Sequence, residues 1–432
     1  MKKILPAILV LFLLTACSNP SPPSAAPDRP VIINLWDSTA KGEYPAELDI
    51  SQEAGDLIIE DFGEPLAVYE LPEHENQFLV LDNNQGVVGF HVLDVRARTI
   101  ETIDALTFAG VTPQQFSFAW PRLLLQASDG GGNSNWALAE IDTGLDQVEI
   151  VWQDNAWVPE TLRRRPIWEY GGNWYLAPVT GPRLTQIPDA EVVARLEDTA
   201  CAVSGEWPAW MGAVTNSPYF VYPTSGEEAA LLNLTTGEKQ VMPLFQDLRW
   251  NQERSRYAWR QDDTIGHSTP GAAQEQLELE GIAGSLLWAS DWDILYFIGG
   301  QRDYFGATWD TLWIWNEDAG LQPVLELPEN RERWRLLAAT SQSVLAASGN
   351  DQLWYFDLDS SVVHDLSGIE PGNWRWQEGF LIGGRADELV RITPGAGLRV
   401  IERNGAYRIY SLLDNYIVFG LEGQVRVRQL AN

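Results

Sequence analysis

Three segments in the last third of the chain repeat one pattern, and this repeat decides the fold. They read Asp310-Thr-Leu-Trp-Ile-Trp315, Asp351-Gln-Leu-Trp-Tyr-Phe356 and Asp387-Glu-Leu-Val-Arg-Ile392, and their first residues are 41 and 36 positions apart. A period of this size is typical of a protein built from repeated sheet units. In the second segment, both faces of an alternating strand are apolar, so the strand must be covered on both sides.

The rest of the chain has the same character. From about residue 56 onward, apolar segments of about five to seven residues alternate with Gly, Asp, Asn and Pro, which is typical of short strands joined by turns. One stretch, Asp189 to Asp198, predicts a helix instead, with Asp189 as N-cap and Val192, Val193 and Leu196 on one face. The sequence therefore predicts an all-β protein with one helix at most.

A second repeat identifies the kind of sheet unit. The segments Trp250–Trp259 and Trp288–Phe297 each place a Trp nine residues before an aromatic residue, with an acid at the fourth position. This pattern resembles the Trp-Ser-Pro-Asp-Gly-x-x-Ile-x-Phe hairpin of TolB-like and WD-repeat β-propellers, without its Pro and Gly. The segments Ala139–Gly144 and Leu232–Gly237 resemble the outer hairpin of the same blades. The resemblance implies a β-propeller over residues 65–432.

The number of blades follows from their third strands. Seven third strands are recognisable, near Val88, Trp136, Leu231, Leu312, Leu353, Leu389 and Val425. The gaps 136–231 and 231–312 have room for one more each, with weak candidates near Leu176 and Leu277. We therefore expect seven or eight four-stranded blades. Pairing of the N-terminal strand Pro65–Leu71 with the C-terminal strand Val425–Leu430 would close the ring and remove its sheet edges.

Tryptophan is the compositional outlier, with 20 residues. Blades that diverge from an axis leave a widening wedge between them, and indole rings are large enough to fill it. We expect most of the Trp residues to lie between blades. The alternative is a surface on which several exposed Trp residues stack against carbohydrate.

The N-terminus predicts export and anchoring. Two lysines precede the apolar run Ile4–Leu14, which is too short to span a membrane permanently. The run ends in Leu14-Thr-Ala-Cys17, which resembles the lipobox of bacterial lipoproteins. The resemblance implies a signal peptide at residues 1–16 and a lipid on Cys17. The alternative is ordinary secretory cleavage after Ala16.

The segments after the lipobox complete the predicted domain organisation. Residues 17–30 hold the lipidated Cys and a tether rich in Pro and Ser, and residues 31–64 form a lead-in to the propeller. We expect an extracytoplasmic protein anchored in the lipid bilayer through Cys17, on the periplasmic or cell-surface side. The other cysteine, Cys201, is expected to be a small buried residue, and lipidation of Cys17 would leave it no disulfide partner.

Charge and motifs exclude several function classes. The chain has 60 acidic residues against 29 basic ones, a formal net charge of -31, so nucleic acid is not an expected partner. No phosphate-binding Gly-x-x-x-x-Gly-Lys motif and no Gly-x-Ser-x-Gly elbow occurs. The four histidines are His74, His91, His267 and His364, and they lack metal-ligand spacing. We expect no metal and no cofactor.

Long loops indicate where a ligand would bind. In a four-stranded antiparallel blade, the second-to-third loops and the blade-to-blade connections emerge on one face. These loops are predicted to be long at 128–135, 261–273 and 301–309, and long loops on a rigid scaffold commonly carry recognition. The alternative is plain variation of loop length. The candidate binding residues are Asp129, Asn133, Asn135, Asp262, Asp263, His267, Arg302, Asp303, Tyr304, Phe305 and Trp309.

Three function hypotheses remain open at this point. The first is a non-enzymatic, membrane-anchored propeller that binds a protein or an envelope glycan through this face. The second is a propeller hydrolase or lyase that acts on glycans with Asp and Glu near the axis as acid and base. The third is a structural component of the cell envelope.

Overall fold

The structure is a computed structural model, and it describes part of the chain. The described residues are 36–41, 47–48, 50–53, 56–60, 62–72, 74–84, 86–108, 112–128, 133–153, 158–159, 167–171, 173–176, 183–187, 191–195, 212–213, 217–224, 228–279, 281–304, 306–330, 333–349, 351–403, 405–413, 416–421 and 424–430. Cys17, Cys201 and the predicted signal peptide and tether lie outside them. Two units are distinguished, residues 1–35 and residues 36–432. No helix in the described part of the chain is long and apolar enough to cross a membrane.

The described residues form strands and turns without a helix. Four short strands come first: β1 (Trp36–Lys41), β2 (Glu47–Leu48), β3 (Ile50–Glu53) and β4 (Asp56–Ile59). Sheet 1 contains β5 (Glu64–Glu70), β6 (Gln77–Asn84), β7 (Val87–Asp94) and β8 (Thr99–Phe108). Sheet 2 contains β9 (Thr112–Ala119), β10 (Arg122–Ser128), β11 (Asn133–Ile141) and β12 (Val148–Gln153), with the short β13 (Val158–Pro159) beside β11. Sheet 3 contains β14 (Ile167–Tyr170), β15 (Asn173–Leu176), β16 (Arg183–Ile187) and β17 (Glu191–Arg195).

The next three sheets follow in chain order. Sheet 4 contains β18 (Gly212–Ala213), β19 (Tyr219–Pro223), β20 (Glu228–Asn233) and β21 (Lys239–Pro243). Sheet 5 contains β22 (Asp247–Trp250), β23 (Tyr257–Gln261), β24 (Thr264–Ser268) and β25 (Glu275–Leu277). Sheet 6 contains β26 (Ile282–Trp288), β27 (Leu295–Asp303), β28 (Gly306–Asn316) and β29 (Gly320–Asn330).

Three more sheets complete the set. Sheet 7 contains β30 (Arg335–Ala339), β31 (Ser343–Ala347), β32 (Leu353–Asp357) and β33 (Val362–Asp365). Sheet 8 contains β34 (Ile369–Gln377), β35 (Phe380–Arg385), β36 (Glu388–Thr393) and β37 (Gly397–Arg403). Sheet 9 contains β38 (Arg408–Leu413), β39 (Tyr416–Leu421) and β40 (Gln424–Gln429), with β4 as its fourth strand and β3 beyond it.

The sheets are arranged in a ring. Each sheet is antiparallel, and its strands follow chain order except where N-terminal strands join it: β1 and β2 pair with β8 of sheet 1, and β4 pairs with β40 of sheet 9. First strands of neighbouring sheets contact one another, as β22 does β26, β26 does β30, β34 does β38, and β38 does β5. The last of these contacts joins sheet 9 back to sheet 1. First strands therefore line the axis and fourth strands lie outside. The fold is an all-β propeller, as the sequence predicts.

The apolar core lies between the sheets. Each buried cluster is built from two neighbouring sheets, and such clusters join sheets 2/3, 4/5, 5/6, 6/7, 7/8, 8/9 and 9/1. Buried indoles contribute to most of them, namely Trp136, Trp174, Trp259, Trp288, Trp309, Trp315 and Trp334. Among the described Trp side chains, only Trp292 is exposed. This is the packing that the wedge argument predicts.

The number of sheets differs from the prediction. The described residues form nine sheets, so the expected seven or eight blades is too low. Each of the two gaps between recognisable third strands contains one further third strand, β16 in the first gap and β24 in the second. The weak candidates near Leu176 and Leu277 lie in a second and a fourth strand instead, β15 and β25.

The predicted helix is wrong. The stretch from Asp189 to Asp198 contains β17, the fourth strand of sheet 3, which pairs with β16 in the register Thr185↔Val192. Two adjacent β-branched valines favour an extended backbone, and pairing with a strand that is already in place overrides a weak helical pattern.

The ring closes through N- and C-terminal strands, as predicted, but with a different N-terminal strand. Leu57, Ile58 and Ile59 of β4 pair with Val427, Arg426 and Val425 of β40. The expected partner, Pro65–Leu71, forms β5, the first strand of sheet 1. The burial patterns explain the choice: all four β4 residues are buried, as a covered strand requires, whereas β5 is mostly half-buried, as suits a strand beside the axis.

Candidate binding face

One end of the ring carries the second-to-third turns and the connections between sheets, and we call it the upper face. In sheet 5 its turn consists of Asp262 and Asp263, because Gln261 pairs with Thr264. The expected long loop at 261–273 is therefore wrong. Of residues 261–273, only Asp262 and Asp263 form the turn between the second and third strands. The long connection of this sheet runs from the end of β24 to β25, at the opposite end.

Sheet 6 projects above its neighbours at this face. Its strands β27 and β28 have 9 and 11 residues, whereas the equivalent strands of sheets 5 and 7 have five each. At about 3.3 Å per residue, the extra residues extend the hairpin by roughly 13 Å. The upper part pairs as Gln301↔Thr308, Arg302↔Ala307 and Asp303↔Gly306. We call residues 301–308 the arm.

The arm replaces the loop that the sequence predicts at 301–309. Its backbone groups are paired in a ladder, so it is a stiff element and not an irregular loop. Tyr304 lies at its tip and is 96% exposed. Phe305 lies outside the described residues, and Asp303 is described only through its backbone pairing with Gly306.

Trp309 lies at the base of the arm and is buried, with 5% exposure. It packs in the core between sheets 6 and 7, so the structure places it beneath the upper face. Its ring lies against Gly284, where an added Cβ would come within 3.1 Å of the indole. Trp309 thus anchors the arm and is not available to contact a ligand.

A polar network joins the base of the arm to sheet 5. Arg302 Nη2 donates to Asp263 Oδ1 at 3.3 Å, which links the arm to the neighbouring turn. Asp262 Oδ1 accepts a hydrogen bond from Gln246 Nε2 at 2.9 Å. Arg260 Nη1 donates to Gln246 Oε1 at 2.5 Å and to the backbone oxygen of Asp262 at 3.2 Å. The turn that supports the arm is therefore rigid.

The charges under this network are partly buried. Arg260 is 6% exposed, and burial lowers its pKa, aided by the nearby Arg333 and opposed by Asp247, Asp262 and Asp263. Burial raises the pKa of Asp247, although Arg249 and Arg260 oppose the shift. Opposite charges are thus held together beneath the upper face, where they stabilise the turn that contacts Arg302.

The structure brings together only part of the predicted set. Asp262, Asp263, Arg302 and Tyr304 lie together on sheets 5 and 6. Asn133 and Asn135 belong to β11 of sheet 2, and their side chains are not described. Asp129 lies outside the described residues.

His267 is not in a loop. It lies within β24, its ring centroid is 3.9 Å from that of Trp315, and its Nε2 is 3.8 Å from Glu275. Burial lowers the pKa of His267, while Glu275 opposes this shift. The residue belongs to the contact between sheets 5 and 6, below the upper face.

Sequence reasoning missed a second feature of the upper face. Two adjoining cavities, of about 510 and 580 Å³, open where sheets 8, 9 and 1 meet. Pro65, Ala406, Arg408 and Tyr410 line both, so the cavities form one groove. Its arginines belong to first strands, and only the correct strand assignment places them together. No group of metal-ligating side chains is found among the described residues.

Comparisons with known proteins concern the fold alone. No family model matches the sequence, and no curated protein matches it. Solved structures similar to it include the computationally designed Ika8 protein, with 14% identity, a TM-score of 0.45 and coverage of 74% of this chain and 97% of that one. The WD40 repeats of RRP9 have 14% identity, a TM-score of 0.30 and coverage of 49% and 73%. An oligogalacturonate lyase in complex with manganese has 11% identity, a TM-score of 0.37 and coverage of 91% and 99%.

Proposed function

We propose that this protein is a membrane-anchored binding module: a bacterial lipoprotein, lipidated at Cys17, whose propeller lies outside the cytoplasm and binds a protein partner through the arm. The lipobox and the Pro-rich tether support the anchor. The arm supports the binding role, because a stiff, projecting hairpin presents its tip at little entropic cost.

One observation carries the choice of surface. Tyr304 is 96% exposed at the tip of the arm, while the buried Trp309 and the backbone pairing of β27 with β28 hold the base in place. Because the Tyr304 side chain is exposed to solvent, it does not contribute to the apolar core. Tyrosine is among the residues that most often dominate the binding energy of protein interfaces.

The carboxylate side chains that the structure describes do not favour the alternative of a glycan hydrolase or lyase. Catalysis on a glycan needs two carboxyl groups close together. At the upper ends of the first strands, the described carboxylate side chains are Glu64 in sheet 1 and Asp247 in sheet 5. Each lies beside an arginine instead: Glu64 is 3.6 Å from Arg408, and Asp247 is 3.1 Å from Arg249.

Crosslinking of the full-length protein in its native membrane, followed by purification and mass spectrometry, tests the proposal. We expect a stoichiometric partner with the wild type and at least a tenfold loss of it with Tyr304→Ala, as for an interface hot spot. The matched control is Trp292→Ala. It removes another exposed aromatic residue of the same sheet, from the β26–β27 turn at the opposite end.

Two results would contradict the proposal. Equal recovery of the partner with Tyr304→Ala and with the wild type would exclude the arm as the binding surface. The anchor is tested in the same membranes with Cys17→Ala, which we expect in the soluble fraction. Its retention in the membrane would exclude lipidation of Cys17 as the anchor.

A further inference from the structure

The groove at the ring closure has features of a ligand site that are independent of the arm. Its two cavities, about 510 and 580 Å³, fall within the size range of small-molecule pockets. First strands of three sheets, β34, β38 and β5, contribute to its walls. Strand β38 packs beside both β34 and β5, so strands of three neighbouring sheets form much of the groove wall.

Arg375 of β34 lines one of the two cavities, and its described hydrogen-bond partners are backbone oxygens. Its Nε and Nη2 donate to the backbone oxygen of Tyr410 at 2.9 and 2.6 Å, and its Nη1 donates to those of Gly372 and Trp374 at 3.0 and 2.7 Å. In the described part of the chain, no carboxylate lies within ion-pair distance of it. A guanidinium has five N–H groups, so these four bonds leave one on Nη2.

The neighbourhood of Arg375 is rigid. Asn373 Nδ2 donates to the backbone oxygen of Tyr407 at 2.8 Å, and Asn373 Oδ1 accepts from the backbone N–H of Ile409 at 2.7 Å. Gly384 lies so close to Asn373 and to the Tyr407 carbonyl that a Cβ would overlap both. Strands β34 and β38 are thereby held together, and Arg375 has a fixed position.

Arg408 of β38 is the second cation, and it lines both cavities. Its guanidinium carbon lies 5.4 Å from the centre of the Tyr410 ring. Its one described acidic neighbour is Glu64, at 3.6 Å, and the two side chains are 65% and 64% exposed. Such an exposed pair is weak, about 0–1 kcal/mol, so Arg408 can exchange Glu64 for another carboxylate.

The remaining walls suit the body of a small polar molecule. Tyr410 and Phe62 supply ring surface, and Asn83, Asn84 and Gln424 supply amide groups. Burial raises the pKa of Tyr410, so its hydroxyl stays protonated at neutral pH and can donate a hydrogen bond. The groove therefore combines two guanidinium groups with aromatic and amide surface.

We propose that this groove binds a small organic carboxylate, with its carboxylate between Arg408 and the remaining N–H of Arg375, and its polar body against Tyr410 and the amides of the second cavity. Arginine and carboxylate form strong, geometrically specific hydrogen bonds. The chain is strongly acidic, with a formal net charge of -31. Among the described residues, Arg375 has no acidic partner and Arg408 has an exchangeable one, and these two arginines point to an external anion.

Two sources of such a carboxylate are separated by titration calorimetry on the full-length protein. The probes are D-glucuronate, for an acidic sugar, and N-acetylglycine, for a peptide C-terminus, with D-glucose and inorganic phosphate as comparisons. We expect one carboxylate or both to bind, at least tenfold more tightly than D-glucose and phosphate. The carboxylate that binds more tightly identifies the source.

Three variants test whether the carboxylate binds in the groove. Arg408→Gln should weaken binding at least tenfold without lowering the midpoint of thermal unfolding. Glu64→Gln should tighten it, because it frees Arg408. Arg399→Gln is the matched control, since it removes an exposed arginine from the outer strand β37 of sheet 8, and it should leave binding unchanged.

The proposal is overturned if neither carboxylate binds, if phosphate or D-glucose binds as tightly as they do, or if Arg408→Gln and Arg399→Gln behave alike. Arg375→Lys keeps the charge but loses the fixed fork of N–H groups, and we expect weaker binding from it as well. Because Tyr304→Ala does not touch the groove, failure of the partner experiment and failure of this one are distinguishable.

Discussion

At the scale of single residues, His267 yields a prediction about pH. Burial lowers its pKa, so the folded protein disfavours the imidazolium form. The unfolded chain has a pKa near 6.5 for this residue. The stability that neutral His267 contributes is therefore fully present above about pH 6.5 and is lost as the pH falls through the lower, folded pKa.

The comparison of the wild type with His267→Gln isolates this effect. We expect the wild type to lose more of its free energy of unfolding between about pH 7.5 and 5.5 than the variant does, because glutamine does not titrate. The neighbouring groups Glu275, Arg256, Glu317 and Asp293 are present in both proteins, so their titration largely cancels. An equal or larger loss in the variant would show that His267 is not destabilised in its charged form.

His267 also shows what the sequence could and could not predict about the upper face. Asp262 and Asp263 follow the pattern of a polar turn, and the turn exists. His267 is only four residues further on, and the sequence does not show where the turn ends. The register Gln261↔Thr264 decides it, and this register depends on apolar residues of neighbouring strands packing against other sheets.

At the scale of elements, the arm depends on a buried anchor, and this is testable. Trp309→Ala should lower the free energy of unfolding by about 3–5 kcal/mol, because it leaves a cavity in the core between sheets 6 and 7. Trp292→Ala is the matched control. Its side chain is 68% exposed, so we expect a change within about 0.5 kcal/mol.

Chemical denaturation of both variants measures the difference. Similar losses for the two would mean that Trp309 is not the anchor of the arm. A small loss for Trp309→Ala together with weaker partner binding would instead return Trp309 to the binding surface, where the sequence places it.

The sequence predicts the type of each secondary-structure element better than its length. Apolar alternation correctly indicates strands across the chain, and the hairpin Trp288–Phe297 connects β26 to β27 as its pattern predicts. Residues 301–308 carry no regular apolar alternation, so the sequence predicts a loop there. Their order comes from backbone pairing beyond the edge of the core, which needs no apolar side chain.

At the scale of the whole molecule, the repeat predicts the ring, but it does not fix the number of sheets or the closing strand. Sheets 3 and 5 lack a recognisable third-strand motif, because β16 reads Arg-Leu-Thr-Gln-Ile and β24 reads Thr-Ile-Gly-His-Ser, without the run of apolar residues seen in β32. The closing strand β4 is only four residues long, and its pairing partner lies at the other end of the chain. No local pattern could indicate that pairing.

A buried ionic cluster marks the closure. Asp56 of β4 is fully buried, and its two carboxylate oxygens accept hydrogen bonds from Nε and Nη2 of Arg428 at 2.5 and 2.7 Å. Arg426 lies 3.7 Å from the same carboxylate, and Arg428 also lies 2.6 Å from Glu402 of sheet 8. The cluster thus ties the N-terminal strand, the C-terminal strand and the preceding sheet together.

Breaking this cluster should open the ring. Asp56→Asn leaves Arg426 and Arg428 without their shared carboxylate in a largely dry site, so we expect a loss of about 3–5 kcal/mol in the free energy of unfolding. Asp351→Asn is the control, because it removes an equivalent aspartate from the exposed pair with Arg335, and it should cost about 0–1 kcal/mol.

The two variants also differ in what they expose. Separation of β4 from β40 would leave an unpaired sheet edge, and such an edge promotes association between molecules. Denaturation curves and light scattering should therefore show lower stability and more association for Asp56→Asn than for Asp351→Asn. If the two variants unfold at the same denaturant concentration and scatter light alike, the ring is held by apolar packing between sheets 9 and 1 and not by this cluster.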